Sequence, residues 1–187
     1  MNEQILLQLA KQAISTCPYP DPRFPPSVYY RFLGLLAIEI RPRLAVELGV
    51  CGGGGSLAMA NNYQGGRVIG IDIEYLVYLD NLKFILEKYP NFIFWCGDSA
   101  QVADSIGRIY GPVQLLFIDT THTYAQTMHE WRAWSPYLAP NAVVCFDDLH
   151  RPGMNQAWNE LPNPKVRLDF LHHSEYGFGG FGVIWKE

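Results

Sequence analysis

The chain has 187 residues, 49% of them hydrophobic and 17% charged, with a formal net charge of -4. This length and composition suit one globular domain with a sizeable core and exclude a disordered chain. The negative balance and the lack of a Lys/Arg-rich run argue against a binder of nucleic-acid backbones. No apolar run reaches transmembrane length and Met1-Asn-Glu-Gln does not read as a signal peptide, so a cytoplasmic protein that spans no membrane is expected. The four cysteines, Cys17, Cys51, Cys96 and Cys145, show no CxxC spacing. Three of them end predicted strands, which points to reduced, buried thiols.

The first segment, Met1 to Ser15, places Ile5, Leu6, Leu9, Ala10 and Ile14 at helical spacing. Cys17 to Pro26 carries five prolines and must be irregular. Ser27 opens a second helix bearing Tyr30, Phe32, Leu33, Leu36, Ala37 and Ile40, which Arg41-Pro42-Arg43 ends. Its aromatic group, Tyr29, Tyr30 and Phe32, either lines a pocket or packs the helix onto a sheet. Leu44 to Leu48 is a short apolar run with Glu47 inside it, followed by Gly49, Gly52, Gly53, Gly54 and Gly55 and then by a helix from Ser56. Strand, glycine turn and helix N-terminus are how α/β proteins bring backbone close to a ligand, and Ser56 suits an N-cap or a first-turn position. A phosphate loop would carry Gly-Lys-Ser/Thr, which is missing. A dinucleotide G-x-G-x-x-G fails from Gly49, where Cys51 intervenes, and from Gly52, where Leu57 stands in the last place.

Arg67 to Asp72 reads as a second strand with Asp72 at its end, the position of a ribose-binding acid in nucleotide-binding α/β folds; Glu74 can take that role if the register shifts. Tyr75 to Lys88 is helical, Asn91 to Cys96 a strand, and Gly97-Asp98-Ser99 follows, with Asp98 or Ser99 able to cap the helix that runs to Ile109. Val113 to Asp119 is a strand, then Thr120-Thr-His122-Thr-Tyr124 and a helix with Met128, Trp131 and Trp134, its exit bracketed by Pro136 and Pro140. Ala142 to Asp148 is a fifth strand ending in two acids. His150-Arg-Pro-Gly153 leads into a helix over Met154 to Leu161, and Lys165 to Phe170 and Phe181 to Trp185 are two last strands. Regular alternation of strand and helix predicts an α/β fold with a doubly wound, mostly parallel sheet, whose ligands sit at the C-terminal strand edge. Gathering acids at that edge costs several kcal/mol unless something compensates.

The stretch Glu47-Leu-Gly49 with Gly53 resembles motif I of class I S-adenosylmethionine (SAM)-dependent methyltransferases, with Cys51 in place of the usual middle glycine and Ser56 one residue late. The resemblance covers about residues 43 to 186. It implies a Rossmann-like, seven-stranded sheet with a C-terminal antiparallel strand, residues 1–42 as a helical cap and 43–187 as the core of one domain. It assigns the methionine end of SAM to Glu47, Gly49 and Gly53, the ribose to Asp72, the adenine to Asp98 and Ser99, and a further SAM contact to Asp119. Asp119 with Asp147 and Asp148 is similar to the acid set of metal-dependent catechol-type and sugar O-methyltransferases. That likeness implies a Mg²⁺ or other divalent ion on those three acids and His122, three residues after Asp119, as base. His150 is a second candidate for catalysis. The implied substrate is a small hydroxylated molecule, such as a sugar or glycosylated metabolite, and a homodimer can complete the pocket wall. Two other readings stand beside it: a NAD-type oxidoreductase on a related fold, and a SAM-fold module without catalysis.

Overall fold

The computed structural model describes residues 1–15, 27–74, 79–171 and 179–186. The expected proline-rich connection, the start of the helix expected from Tyr75, Cys17, Glu187 and the 172–178 loop lie outside the described residues. Seven strands form one sheet in the order β3-β2-β1-β4-β5-β7-β6. β1 (Leu44–Leu48), β2 (Arg67–Asp72), β3 (Phe92–Cys96), β4 (Val113–Ile118) and β5 (Leu138–Phe146) run parallel, and β7 (Gly182–Trp185) lies antiparallel between β5 and β6 (Lys165–Arg167). The predicted architecture is therefore the observed one.

All five residues of β1 are buried, because a parallel strand between two others is covered on both faces. Alternate side chains feed two cores. One holds Ala45, Leu115, Phe117 and Val183 with helices α1 (Glu3–Ser15), α2 (Val28–Ile40), α3 (Gly54–Asn62) and α4 (Leu79–Lys88). The other holds Val46, Leu116, Ile118 and Ile184 with α5 (Ala103–Tyr110), α6 (Tyr124–Trp134) and α7 (Pro152–Glu160). On α2, Phe32 is fully buried and Tyr29 packs its ring 6.2 Å from Phe117 and 5.8 Å from Phe181. These aromatics thus fasten α2 to the sheet.

Boundaries moved where backbone chemistry overrode the side-chain pattern. β5 starts at Leu138, with Pro140 inside it at a point where the β4 register shifts. β6 is only three residues, because Asp169–Leu171 form a 3₁₀ turn instead of continuing the strand. Cys51 and Cys96 are exposed and only Cys145 is buried, so the expectation of buried thiols holds for one of the three described cysteines. Cys51 lies in the turn after β1 and Cys96 is the last residue of the edge strand β3, both where the buried run has already stopped.

Gly49 ends β1 with φ at 85°, and a Cβ there would strike the backbone carbonyl of Asp119. The close approach locks the end of β1 to the end of β4. Gly49→Ala is expected to lower stability by about 2–4 kcal/mol, from positive φ plus the clash. Urea unfolding of the folded wild type and variant measures this.

Candidate active site

The strand ends open into a cleft of about 430 Å³ lined by Gly49, Cys51, Asp72, Asp98, Ser99 and Asp119, among others. It lies at the C-terminal edge of β1 to β4, the place topology reserves for a ligand. Gly53, with φ at 81°, is the residue before α3, and a Cβ on Gly54 would strike the ring of Tyr30. Helix α2 therefore closes down on the glycine turn.

Asp72 is poised by the turn opposite: its Oδ2 accepts from the Cys51 backbone N–H at 2.8 Å. This hydrogen bond fixes the carboxylate across the mouth of the glycine turn. Cys51 stands where a glycine is usual in the motif and adopts positive φ, 45°, accordingly. Asp98 also lines the cleft, while its Oδ1 accepts from Ala100 N at 2.9 Å and Gln101 N at 3.0 Å. It caps the turn before α5; α5 itself begins later, after Val102.

Glu47 stands elsewhere. It is buried beneath α3, and its carboxylate meets the Ser56 hydroxyl, with Gly55 packed against it. Ser56 thus spends its hydroxyl on Glu47 in the first turn and does not cap the helix. Burial pushes the Glu47 carboxyl up to about 8, against the hydrogen bonds from Ser56 that favour the charged form. Glu47 joins strand to helix beneath the cleft and is not among the residues that line it.

The acids after β4 and β5 do converge. Asp119, Asp147 and Asp148 follow the two strand ends, with the Asp147 N–H on the Ile118 carbonyl at 3.2 Å. Burial first, then Asp147, Glu47 and Asp148, hold the Asp119 carboxyl well above the usual carboxylate range. Facing them are an imidazole and a guanidinium. His122 Nε2 stands 3.5 Å from Asp119 Oδ1 and 3.7 Å from Asp148 Oδ2, and Arg151 Nε donates to that same Asp148 Oδ2 at 2.6 Å. His122 and Asp148 both take positive φ, 53° and 54°. Such backbone costs about 1–3 kcal/mol per residue and persists where surrounding structure enforces it. Nearby, Gly153 in the first turn of α7 lies so close to the Tyr124 backbone that a Cβ would sit 2.8 Å from its nitrogen.

Three carboxylates have the oxygen chemistry a hard divalent ion prefers. Their arrangement does not fit one: His122 Nε2 already lies between Asp119 and Asp148, and Arg151 holds the latter. Among the described residues, no three His, Cys, Asp or Glu side chains form a set that could hold a metal ion. His150 faces Asp169 instead, Nε2 to Oδ2 at 3.4 Å, beside Gly180.

Sequence reasoning did not single out Arg151, Gln126 or Glu130. Gln126, Glu130 and Trp134 recur every four residues on one face of α6, and Glu130 is fully buried there. A charged residue on the apolar stripe of a helix was the available signal.

A family of methyltransferase domains matches residues 46–149 of this chain. The mycinamicin VI 2''-O-methyltransferase of Micromonospora griseorubida is 28% identical over 111 residues, which are 56% of this chain and 26% of that protein. The matched stretch thus spans about a quarter of the curated relative's length. Among solved structures, an O-methyltransferase from Streptomyces achromogenes involved in tomaymycin synthesis, in complex with SAM, superposes with a TM-score of 0.73 at 18% identity, covering 100% of this chain and 92% of that one. An O-methyltransferase from Bacillus cereus in complex with SAH gives 0.72 at 17% identity, covering 98% and 90%. At such identities the likeness shows the fold.

The Glu47 carboxyl binds its proton more tightly folded than unfolded, from an ordinary value of 4.5 to about 8. The folded state therefore holds an extra proton between those values, and stability falls as pH rises through them, by at most roughly 1.4 kcal/mol per pH unit. Glu47→Gln should flatten that slope. Urea unfolding of both proteins at pH 5 and at pH 8.5 is the check.

Proposed function

From the premise that this chain belongs to the methyltransferase-domain family of class I SAM-dependent enzymes, matched over residues 46–149, we propose that it transfers the methyl group of SAM to a hydroxyl of a small molecule. One observation carries the reading: Asp119 lines the cleft at the sheet edge and pairs with His122 just behind it. Gly49 and Gly53 give the methionine end of SAM close backbone, Asp72 takes the ribose hydroxyls, and Asp98 with Ser99 takes the adenine. Glu47 supports this loop from below.

In the reaction the acceptor oxygen attacks the methyl carbon in line with the sulfur. An O–CH₃ bond forms, the S–CH₃ bond breaks, and the sulfonium leaves as the neutral thioether S-adenosylhomocysteine (SAH). The hydroxyl proton passes to the Asp119–His122 pair. Asp148 faces the same imidazole nitrogen and stabilises the imidazolium that results, and Arg151 holds Asp148 in place. His150, paired with Asp169, is the weaker candidate for this role.

Two finer points belong to the proposal. The likeness to the mycinamicin enzyme supports a sugar or glycosylated metabolite as acceptor. The acid trio's chemistry supports assistance by Mg²⁺, while its arrangement supports charge balance by His122 and Arg151 alone. Comparing rates in EDTA and in Mg²⁺ separates these: a rate that needs the ion means that the acids open to it, and an unchanged rate means that the two side chains suffice. A homodimer that completes the pocket, and residues 1–42 acting as its cap, remain parts of the proposal that a solution mass and a truncation would test.

His122→Ala is expected to bind SAH within about threefold of wild type but to lose roughly 10²–10⁴ in kcat, the usual worth of a positioned base. Methyl transfer from labelled SAM to a panel of sugar and catechol hydroxyl compounds supplies the rate. Full activity in the variant would remove His122 from the mechanism.

A further inference from the structure

Glu130 lies just outside the cleft, fully buried on α6, and its carboxylate gathers three side chains. Ser99 Oγ donates to Oε1 at 2.5 Å, Gln126 Nε2 donates to the same oxygen at 2.9 Å, and Thr120 Oγ1 donates to Oε2 at 3.0 Å. Gln126 Nε2 also donates to Ser99 Oγ at 3.3 Å, and Trp134 Nε1 donates to the Ser99 carbonyl at 2.8 Å. Ser99, Thr120 and Gln126 all line the cleft. One buried acid thus ties the loop after β3 to the loop after β4, and through both it borders the cleft.

Burial raises the Glu130 carboxyl above its ordinary value, against the hydrogen bonds from Ser99, Gln126 and Thr120 that favour the charged form, and in that charged form it only accepts. Each hydroxyl that donates its single hydrogen to Glu130 has none left to give, so Ser99 and Thr120 offer the cleft lone pairs alone. Gln126, with its amide nitrogen turned to Glu130 and Ser99, has its carbonyl oxygen as its remaining group. Asp98, in the same wall, is also an acceptor. The four side chains therefore form one acceptor surface, whose polarity is set by a residue that does not itself line the cleft. Such a surface suits a ligand that presents N–H donors and opposes one that presents an oxygen.

We infer that Glu130 is a positioning residue that fixes the base selectivity of the cofactor site, turning the wall to accept from the exocyclic amine of a 6-aminopurine and to reject a 6-oxopurine. The inference rests on SAM occupying this cleft. It goes further by assigning the discrimination to a side chain behind the wall. A glutamine at 130 has nearly the same shape, but its amide nitrogen must donate. Gln126 Nε2 keeps the amide oxygen at the Oε1 position, so the new amide nitrogen meets Thr120 Oγ1, which then has to accept and turns its own hydrogen toward the ligand.

The test is calorimetric titration of wild type, Glu130→Gln and Ser99→Ala with SAH and with its deaminated counterpart S-inosylhomocysteine, after thermal unfolding shows that each variant is folded. Wild type is expected to favour SAH by at least about tenfold, since a wall of acceptors leaves an opposing oxygen unpaired. In Glu130→Gln that ratio should fall by about tenfold, and Ser99→Ala should lower it in the same direction. A folded Glu130→Gln that weakens both ligands equally and keeps the ratio would overturn the inference and leave Glu130 a purely structural acid. Equal binding of the two ligands by wild type would overturn it as well, while leaving the SAM reading intact. Binding of neither ligand by wild type would sink both.

Discussion

Three strands of one sheet, β2, β4 and β5, finish at the same edge and deliver four carboxylates there, Asp72, Asp119, Asp147 and Asp148, and the rest of the structure answers the repulsion this creates. Asp72 accepts from the Cys51 N–H, Asp119 and Asp148 face His122, and Asp148 is held by Arg151. The backbone bears part of the cost. Cys51, His122 and Asp148 all adopt the left-handed region, which side chains other than glycine rarely enter. All three lie in loops at this edge, so the strain is concentrated where the chemistry is proposed to occur.

Beneath that edge the packing is rigid. Gly49 seats the end of β1 against Asp119, Gly54 lies under Tyr30, and Gly153 brings α7 onto the start of α6. Glu47 and Ser56 fasten β1 to α3. Tyr29, Phe32, Phe117 and Phe181 pack α2 over the same region, with ring centres about 6 Å apart. The glycine turn is therefore enclosed on several sides, and the space left open is the cleft. A ligand entering it meets groups whose positions are already fixed, which lowers the ordering cost of binding.

The sheet was legible in the sequence because the inner parallel strands β1, β2, β4 and β5 are largely buried, and even the half-buried edge strand β3 is apolar, so each reads as a continuous apolar run with an acid or glycine at or just past its end. Asp72, Asp98, Ser99 and Asp119 were legible for the same reason: strand ends mark the ligand edge. Glu47 shows where that logic stops. Its place in the motif pointed to the ligand, but strand alternation turns it under α3, and only coordinates reveal the Ser56 partner. The acid trio was gathered by topology, and His122 was read from its place beside Asp119, yet Arg151 and the reach of His122 to Asp148 were not visible. Arg151 comes from a loop three residues on, and His122 reaches Asp148 across two strand ends. Glu130 was hidden because a charged residue in a helix is normally solvent-facing, and its partners come from two other loops.

The central claim is that this edge is a SAM site anchored on Asp72. Calorimetry with SAH and with NAD, on wild type and on Asp72→Asn, tests it most directly. The account predicts that wild type binds SAH and not NAD, and that the variant weakens SAH by about tenfold as charge-assisted bonds to the ribose are lost. NAD binding at least as tight as SAH, or SAH binding indifferent to residue 72, would contradict it.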